Sequence, residues 1–221
     1  MTTQRIAKFI ASTGQCSRRE AERWIADGRV MVDDVLLDSP AFTVTDEQEV
    51  KVDGNIINAI KHTRLWKFHK PRGVITSRAD DRDRETIYDY LPKNMQQLHY
   101  VGRLDYNSEG LILLTNNPSL KRVLELPSTG LERHYRARVY TEPTPETLGA
   151  LARGVTIEGT HYKPILAKVE PTKGRNKWLS IILTEGKNRE IRRVFEHYEH
   201  PVSRLIRQRY GEFDLGELEN G

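Results

Sequence analysis

The chain has 221 residues, 37% hydrophobic and 30% charged, with a net charge of +4. That length suffices for two domains with real cores, and the composition excludes a disordered chain. One cysteine excludes an internal disulfide or a cysteine-based metal cluster, and no apolar run is long enough to span a membrane or serve as a signal-peptide core, so a cytoplasmic protein is expected.

In chain order, Ile6, Phe9 and Ile10 form a short helical stripe closed by Gly14. Ser17-Arg-Arg-Glu20 reads as a capping box opening a second helix, whose stripe is Ala21, Trp24 and Ile25 and which stops near Gly28. Arg18, Arg19 and Arg23 lie away from that stripe. They suit an RNA-gripping face, although on charge alone a solvated face accounts for them. Short strands follow at "RVMV", "AFTV" and "EVKV". This first domain is expected over residues 1–58, with 59–66 as a linker that can also pair as a strand.

The second domain is expected over residues 67–221. Strands are predicted at "LWKFHK", "GVITS", "LHYVG", "GLILLT", "HYRARVY", "YKPILAKVE" and "KWLSIILT", and helices at 86–91, 118–126, 145–153 and 189–199. Asn117-Pro118 and Thr144-Pro145 are cap and first-turn pairs, and Asn188 is the expected cap of the last helix. Many strands with few intervening helices predict an α+β fold with a mostly antiparallel sheet. Basic side chains crowd residues 173–209, and the pI of 9.1 agrees with an anionic partner such as nucleic acid.

The usual catalytic constellations are missing. The seven histidines show no metal-ligand spacing. Asp80, Asp81 and Asp83 share an arginine-rich polar loop that reads as a solvated turn. There is no phosphate loop, dinucleotide fingerprint or nucleophile elbow. What stands out is Asp105 in "GRLDYNSEGLILLTN", two residues after Arg103 and ahead of an apolar strand. Alone it reads as a turn residue. In the last helix Ile191, Val194, Phe195 and Tyr198 form the buried stripe, Arg193 points away, and Arg192 sits at the border, where its guanidinium could pair with a carboxylate. Tyr135 shares a strand face with Arg133, Ala137 and Val139, as a core residue or as a ring to stack a base.

Together "KPRG", "GRLDYNSEGLILLT", "ERHYRARV" and "LTEGKNREIRRVFE" resemble, in order, the motifs of the pseudouridine synthases that act on ribosomal RNA. The segment "IAKFIASTGQCSRREAERWIADGRVMVD" is similar to the RNA-binding domain of small-subunit ribosomal protein four. "TEGKNRE" with "VSRLIRQRYGEF" resembles the branch called large-subunit rRNA pseudouridine synthase B. The resemblance implies that Asp105 is catalytic, that Tyr135 stacks on the base and takes part in proton removal, and that Arg192 pairs with Asp105. It implies that Arg103 helps extrude the target nucleotide, that Leu183 walls the pocket, and that Lys70 and Pro71 are structural. Lys187, Arg189 and Arg193, with Arg18, Arg19 and Arg23, then grip RNA. No cofactor and no metal are implied, because the atoms of uridine are only rearranged. The implied partner is ribosomal RNA, 23S rather than 16S, free or in an assembly intermediate, met by a monomer that binds no membrane. Family members continue past the position of "GELENG", whereas this chain stops at Gly221, so the resemblance weakens at the C-terminal strand. Competing readings are a non-catalytic ribosome-assembly factor and a metal nuclease built on the acidic loop.

Overall fold

A computed structural model of the chain describes residues 3–45, 47–58 and 62–221. The described chain divides into two compact units. The first comprises Met1–Trp66 with Lys93–His99 and Leu114–Val123; the second comprises Lys67–Pro92, Tyr100–Leu113 and Leu124–Gly221.

In the first unit, strand β1 (Gln4–Arg5) leads into helices α1 (Ile6–Ser12) and α2 (Arg18–Ala26). Strands β2 (Val30–Val32), β3 (Val35–Leu36), β4 (Thr43–Val44), β5 (Val50–Val52) and β6 (Asn55–Ile56) follow. The apolar stripes do what their spacing predicts: Ile6, Ile10, Ala21 and Ile25 are fully buried and pack with Val30, Val44 and Val50. Ser17 Oγ accepts from the Glu20 amide at 3.2 Å, the serine half of the expected box. Strands β3, β2, β5 and β6 form an antiparallel sheet in that order, and β1 pairs with β4. The β2–β3 and β5–β6 hairpins turn on Asp33-Asp34 and Asp53-Gly54, all at positive φ, as tight two-residue turns require. Arg18, Arg19 and Arg23 are exposed on α2.

Of the expected linker, residues 59–61 lie outside the described residues. The rest is held: Asn116 Oδ1 accepts from the Arg64 amide at 2.8 Å, and Asn116 Nδ2 donates to His62 O at 2.9 Å. Strand β7 (Leu65–Lys70) already begins inside it.

From there the chain continues through β8 (His99–Val101), β9 (Glu109–Thr115), α3 (Pro118–Glu125) and β10 (Arg133–Val139). Helix α4 (Pro145–Arg153) is followed by β11 (Val155–Ile157), β12 (Thr160–Tyr162), β13 (Leu166–Val169) and β14 (Lys177–Leu183). Helix α5 (Glu190–His197), β15 (Val202–Tyr210) and β16 (Phe213–Asp214) complete it. An eight-stranded sheet runs β13-β14-β10-β15-β9-β7, with β16 on β15 and β8 on β9. Strand β10 is antiparallel to both neighbours, while β15 is parallel to β9, so the sheet is mixed within the expected α+β class. Arg133, Tyr135, Ala137 and Val139 are all buried, as the alternation of β10 demands.

Four sequence expectations change. "GVITS" is not a strand; Gly73 takes φ +83°, and Ile75 makes only an isolated bridge to Thr86. "YKPILAKVE" is two strands, divided at Pro164, which has no amide to donate. The expected helix at 86–91 is a 3₁₀ turn at Ile87–Tyr90, capped by Thr86 and Asp89. Asn188 does not cap α5: the capping position is Arg189, left-handed at φ 52° with no side-chain cap. Strand β15 is not among the expected strands, though it lies between β10 and β9 in the sheet. Its arginines mask its alternation. Arg207 fills a buried position, stacked 5.1 Å from the Tyr210 ring centroid and donating from Nε to Leu111 O at 2.7 Å.

Candidate active site

Asp105 lies in the loop between β8 and β9, and nearly every peptide around it is tied down. Thr76 Oγ1 donates to Leu104 O at 3.0 Å and accepts from the Leu104 amide at 3.3 Å. The Gly73 amide donates to Tyr106 O at 2.8 Å. So the segment that does not form a strand clamps the residues on both sides of the aspartate. The Ser108 amide closes a turn onto Asp105 O at 2.9 Å, and Lys70 Nζ donates to Ser108 O at 2.7 Å. Arg192 reaches in from α5: Nη2 donates to Asn107 O at 2.9 Å while Nη1 donates to Val202 O at 2.8 Å. A carboxylate held this way loses little rotational freedom when a substrate arrives.

The carboxylate itself stays accessible, its side chain 30% exposed. It faces a cleft of about 450 Å³ of empty, partly solvent-open space, walled by Tyr135, Leu183, Ile191 and Leu205 and rimmed by Arg103, Lys187 and Arg189. A second compartment of about 890 Å³ shares Arg103, Asp105, Lys187 and Arg189 and extends past Tyr106, Thr76 and Arg84. The first joins apolar walls at Leu104, Tyr135, Leu183, Ile191 and Leu205 to convergent charged groups, a mixture suited to a flat polar ring such as a base. The second is more basic. Its Arg84 guanidinium lies 5.6 Å from the Tyr106 ring centroid and is pinned by Asp80 at 2.7 and 2.9 Å. Asp80, from the acidic loop, is thus taken up by an arginine.

The sequence-named residues divide by position. Asp105, Tyr135, Leu183, Arg103, Lys187 and Arg189 come together on one cleft. Arg193 is exposed on α5, and Arg18, Arg19 and Arg23 belong to the first unit. The expected direct pairing of Arg192 with Asp105 is not the arrangement found. The arginine nearest the carboxylate is Arg189, with Nη1 3.8 Å from Oδ2. Arg192 is buried and spends its guanidinium on main-chain carbonyls beside the aspartate. The reason is helical geometry: the buried border of α5 aims Arg192 at the backbone of the loop, whereas Arg189 precedes the helix and is free to reach the cleft.

Burial sets the titration of the supporting groups. It pulls the Lys70 ammonium down to about 8, against the charges of Asp105 and Glu109. Burial also lowers the Arg192 guanidinium, helped by Arg189 and opposed by Asp105. Sequence reasoning missed Thr76, Ser108 and Glu190. Glu190 had a signal, since it is four residues before Val194 and falls on the same buried stripe of α5. Thr76 and Ser108 had none, because their contacts are made across 28 and 84 residues of sequence.

The family model described as RNA pseudouridylate synthase matches residues 64–197, and the S4 domain model matches residues 4–50. A Rickettsia bellii protein named as an uncharacterized RNA pseudouridine synthase is 44% identical over 215 residues, covering 97% of this chain and 93% of its own. The ribosomal large subunit pseudouridine synthase B of Yersinia pestis is 36% identical over 219 residues, covering 96% of this chain and 69% of its own. A solved structure described as a pseudouridylate synthase superposes with a TM-score of 0.68 at 26% identity, covering 98% of this chain and 93% of that one. On these matches the chain belongs to the RNA pseudouridylate synthase family, an isomerase with an S4 domain at its N-terminus.

Proposed function

We propose that this protein converts one uridine of 23S ribosomal RNA to pseudouridine, with Asp105 as the catalytic carboxylate. The observation that carries the reading is an accessible aspartate, fixed at its flanking peptides by Thr76, Gly73, Lys70 and Arg192, at the edge of a cleft with Tyr135, Leu183, Ile191 and Leu205 as apolar walls and Arg103, Lys187 and Arg189 at its rim. The reaction breaks the bond from uracil N1 to ribose C1′ and forms one from C5 to C1′. C5 loses its proton to solvent and N1 takes one up, so atoms balance and no second reactant is needed. One carboxylate serves that exchange by attacking the sugar or assisting as a base. Tyr135 and Leu183 hold the uracil, and Tyr135 takes part in removing the C5 proton. Arg103, exposed at the rim, fills the gap left when the base leaves its stack. Arg192 positions the aspartate through Asn107 rather than touching it.

Residues 1–58 act as an RNA grip through Arg18, Arg19 and Arg23, and residues 67–221 carry the chemistry, aided by Lys187, Arg189 and Arg193. The large-subunit names of relatives such as the Yersinia pestis protein support 23S over 16S rRNA. The enzyme works as a monomer. The test is tritium release from RNA labelled at uridine C5, together with pseudouridine mapping in both rRNAs of a deletion strain. Wild type should release tritium and Asp105→Asn should fall to background. Activity retained in Asp105→Asn refutes the mechanism, and a missing modification in 16S rRNA alone refutes the substrate.

A further inference from the structure

The turn between β14 and α5 carries two buried carboxyl groups that the proposed chemistry does not use. Glu185 is 7% exposed and Glu190 is 4% exposed. Glu185 Oε1 accepts from the Lys163 amide at 2.7 Å, and its Oε2 lies 2.5 Å from Lys187 Nζ. Glu190 Oε2 accepts from the Lys187 amide at 2.8 Å and so ties the start of α5 back to the turn before it. Glu190 Oε1 is buried with no donor to satisfy it among the described residues. The Glu185 carboxyl is within hydrogen-bonding reach of Glu190, but two carboxylates have no proton to share. A proton on Glu190 resolves the conflict: Oε1 becomes a donor with Glu185 as its acceptor, and one of two like charges is removed.

We propose that Glu190 is a positioning residue whose carboxylic-acid form, hydrogen-bonded to the Glu185 carboxylate, locks the 185–190 turn and so sets Arg189 and Lys187 against Asp105. It rests on the reading of this cleft as the active site. The geometry makes the link short. The locked turn contains Lys187 and Arg189, and Arg189 approaches Asp105 to 3.8 Å. The other charges around Glu190 are Arg133, which ties the same turn by donating to Thr184 O at 3.0 Å, Asp105 and Arg103 across the cleft, and Arg192 and Arg193 on its own helix. Titration agrees with this placement. Burial pushes the Glu190 carboxyl up to about 7, against the Lys187 amide and with the Glu185 charge. Burial also raises Glu185, but Lys187 and the Lys163 amide outweigh it and hold that carboxyl below its usual range. The raised group favours the neutral form in the folded protein, so the lock is present below about 7 while Glu185 stays ionised, and is lost as pH rises through about 7.

The experiment is single-turnover tritium release at saturating enzyme, from pH 6.5 to 8.5, each protein normalised to its own rate at pH 6.5. With a group near 7 that must be protonated, the wild-type rate falls roughly 20-fold across that span. Glu190→Gln keeps a neutral donor at every pH and should fall by less than about threefold, because its amide cannot ionise. A flat wild-type profile, or a glutamine variant that falls as steeply as wild type, overturns the proposal. If the glutamine variant does not fold, Glu185→Gln decides: an alkaline limb that leaves its wild-type position supports the shared proton, and an unmoved limb overturns it. Tritium release at any pH upholds the functional reading itself, so the two ideas fail separately.

Discussion

Gly110 is the second residue of β9, five positions after Asp105, and it has φ +109°. A Cβ there would lie 2.3 Å from Arg207 O and 2.6 Å from Arg207 N, both main-chain atoms of β15. Neither can give way without parting β9 from β15, which run parallel with Glu109 opposite Ile206 and Gly110 opposite Arg207. For Gly110→Ala, positive φ costs about 1–2 kcal/mol, overpacking about 1–3 kcal/mol, and a weakened ladder bond about 1 kcal/mol. The sum is about 4 kcal/mol, which for a chain of this size lowers the melting temperature by roughly 10 °C. Thermal unfolding followed by circular dichroism measures it. Gly159→Ala is the control, since Gly159 has φ +76° but a Cβ there would meet nothing within 4 Å among the described residues. It should lose only the conformational share, roughly 3 °C. Because β9 carries the Asp105 loop, tritium release by Gly110→Ala should also drop by about 100-fold at a temperature where the variant remains folded. A melting point within about 2–3 °C of the control refutes the claim that the close approach of the two strands demands glycine here.

Arg192→Gln removes the fork that joins Asn107 O to Val202 O, and kcat/KM should fall by roughly 100-fold with KM little changed; a shift confined to KM contradicts a positioning role. Lys70 titrates near 8 because it is buried, so the folded state prefers its neutral amine. Wild type therefore bears the full cost of that charge below about pH 8 and sheds it as pH rises toward 10.5, the ordinary lysine value. The melting temperature of Lys70→Met minus that of wild type should shrink over that span, and a constant difference contradicts the assignment. Burial pushes the Cys16 thiol up to about 11, so a thiol-specific dye at pH 8 should label native protein at least about 100-fold more slowly than unfolded protein; equal rates contradict its burial.

Much of the fold could be read from the chain. The stripes of α1 and α2, the Thr144 cap and the alternation of β10 are local patterns, and local patterns survive into the structure because each needs only its own neighbours. In two places where the reading failed, a distant contact had overridden the local rule. "GVITS" has strand-forming residues, yet its backbone and Thr76 serve the Asp105 loop instead. Arg207 breaks the apolar alternation of β15 because the Tyr210 ring and, from far away in the chain, Leu111 O make a buried guanidinium tolerable.

The site shows the same division. Its residue types and their order, Asp105 with Arg103, then Tyr135, then the basic helix start, were visible in sequence, and they sufficed to identify the family. Which arginine faces the carboxylate was not. Arg189 and Arg192 are three residues apart on one turn, and only the packing of α5 against β15 and the Asp105 loop sends Arg192 to the backbone and leaves Arg189 3.8 Å from the acid. Sequence determines which groups are present and how each segment tends to fold. Tertiary structure decides which of them lose water, and burial is what separates a buried Glu190 that favours its proton from exposed acids of the same kind.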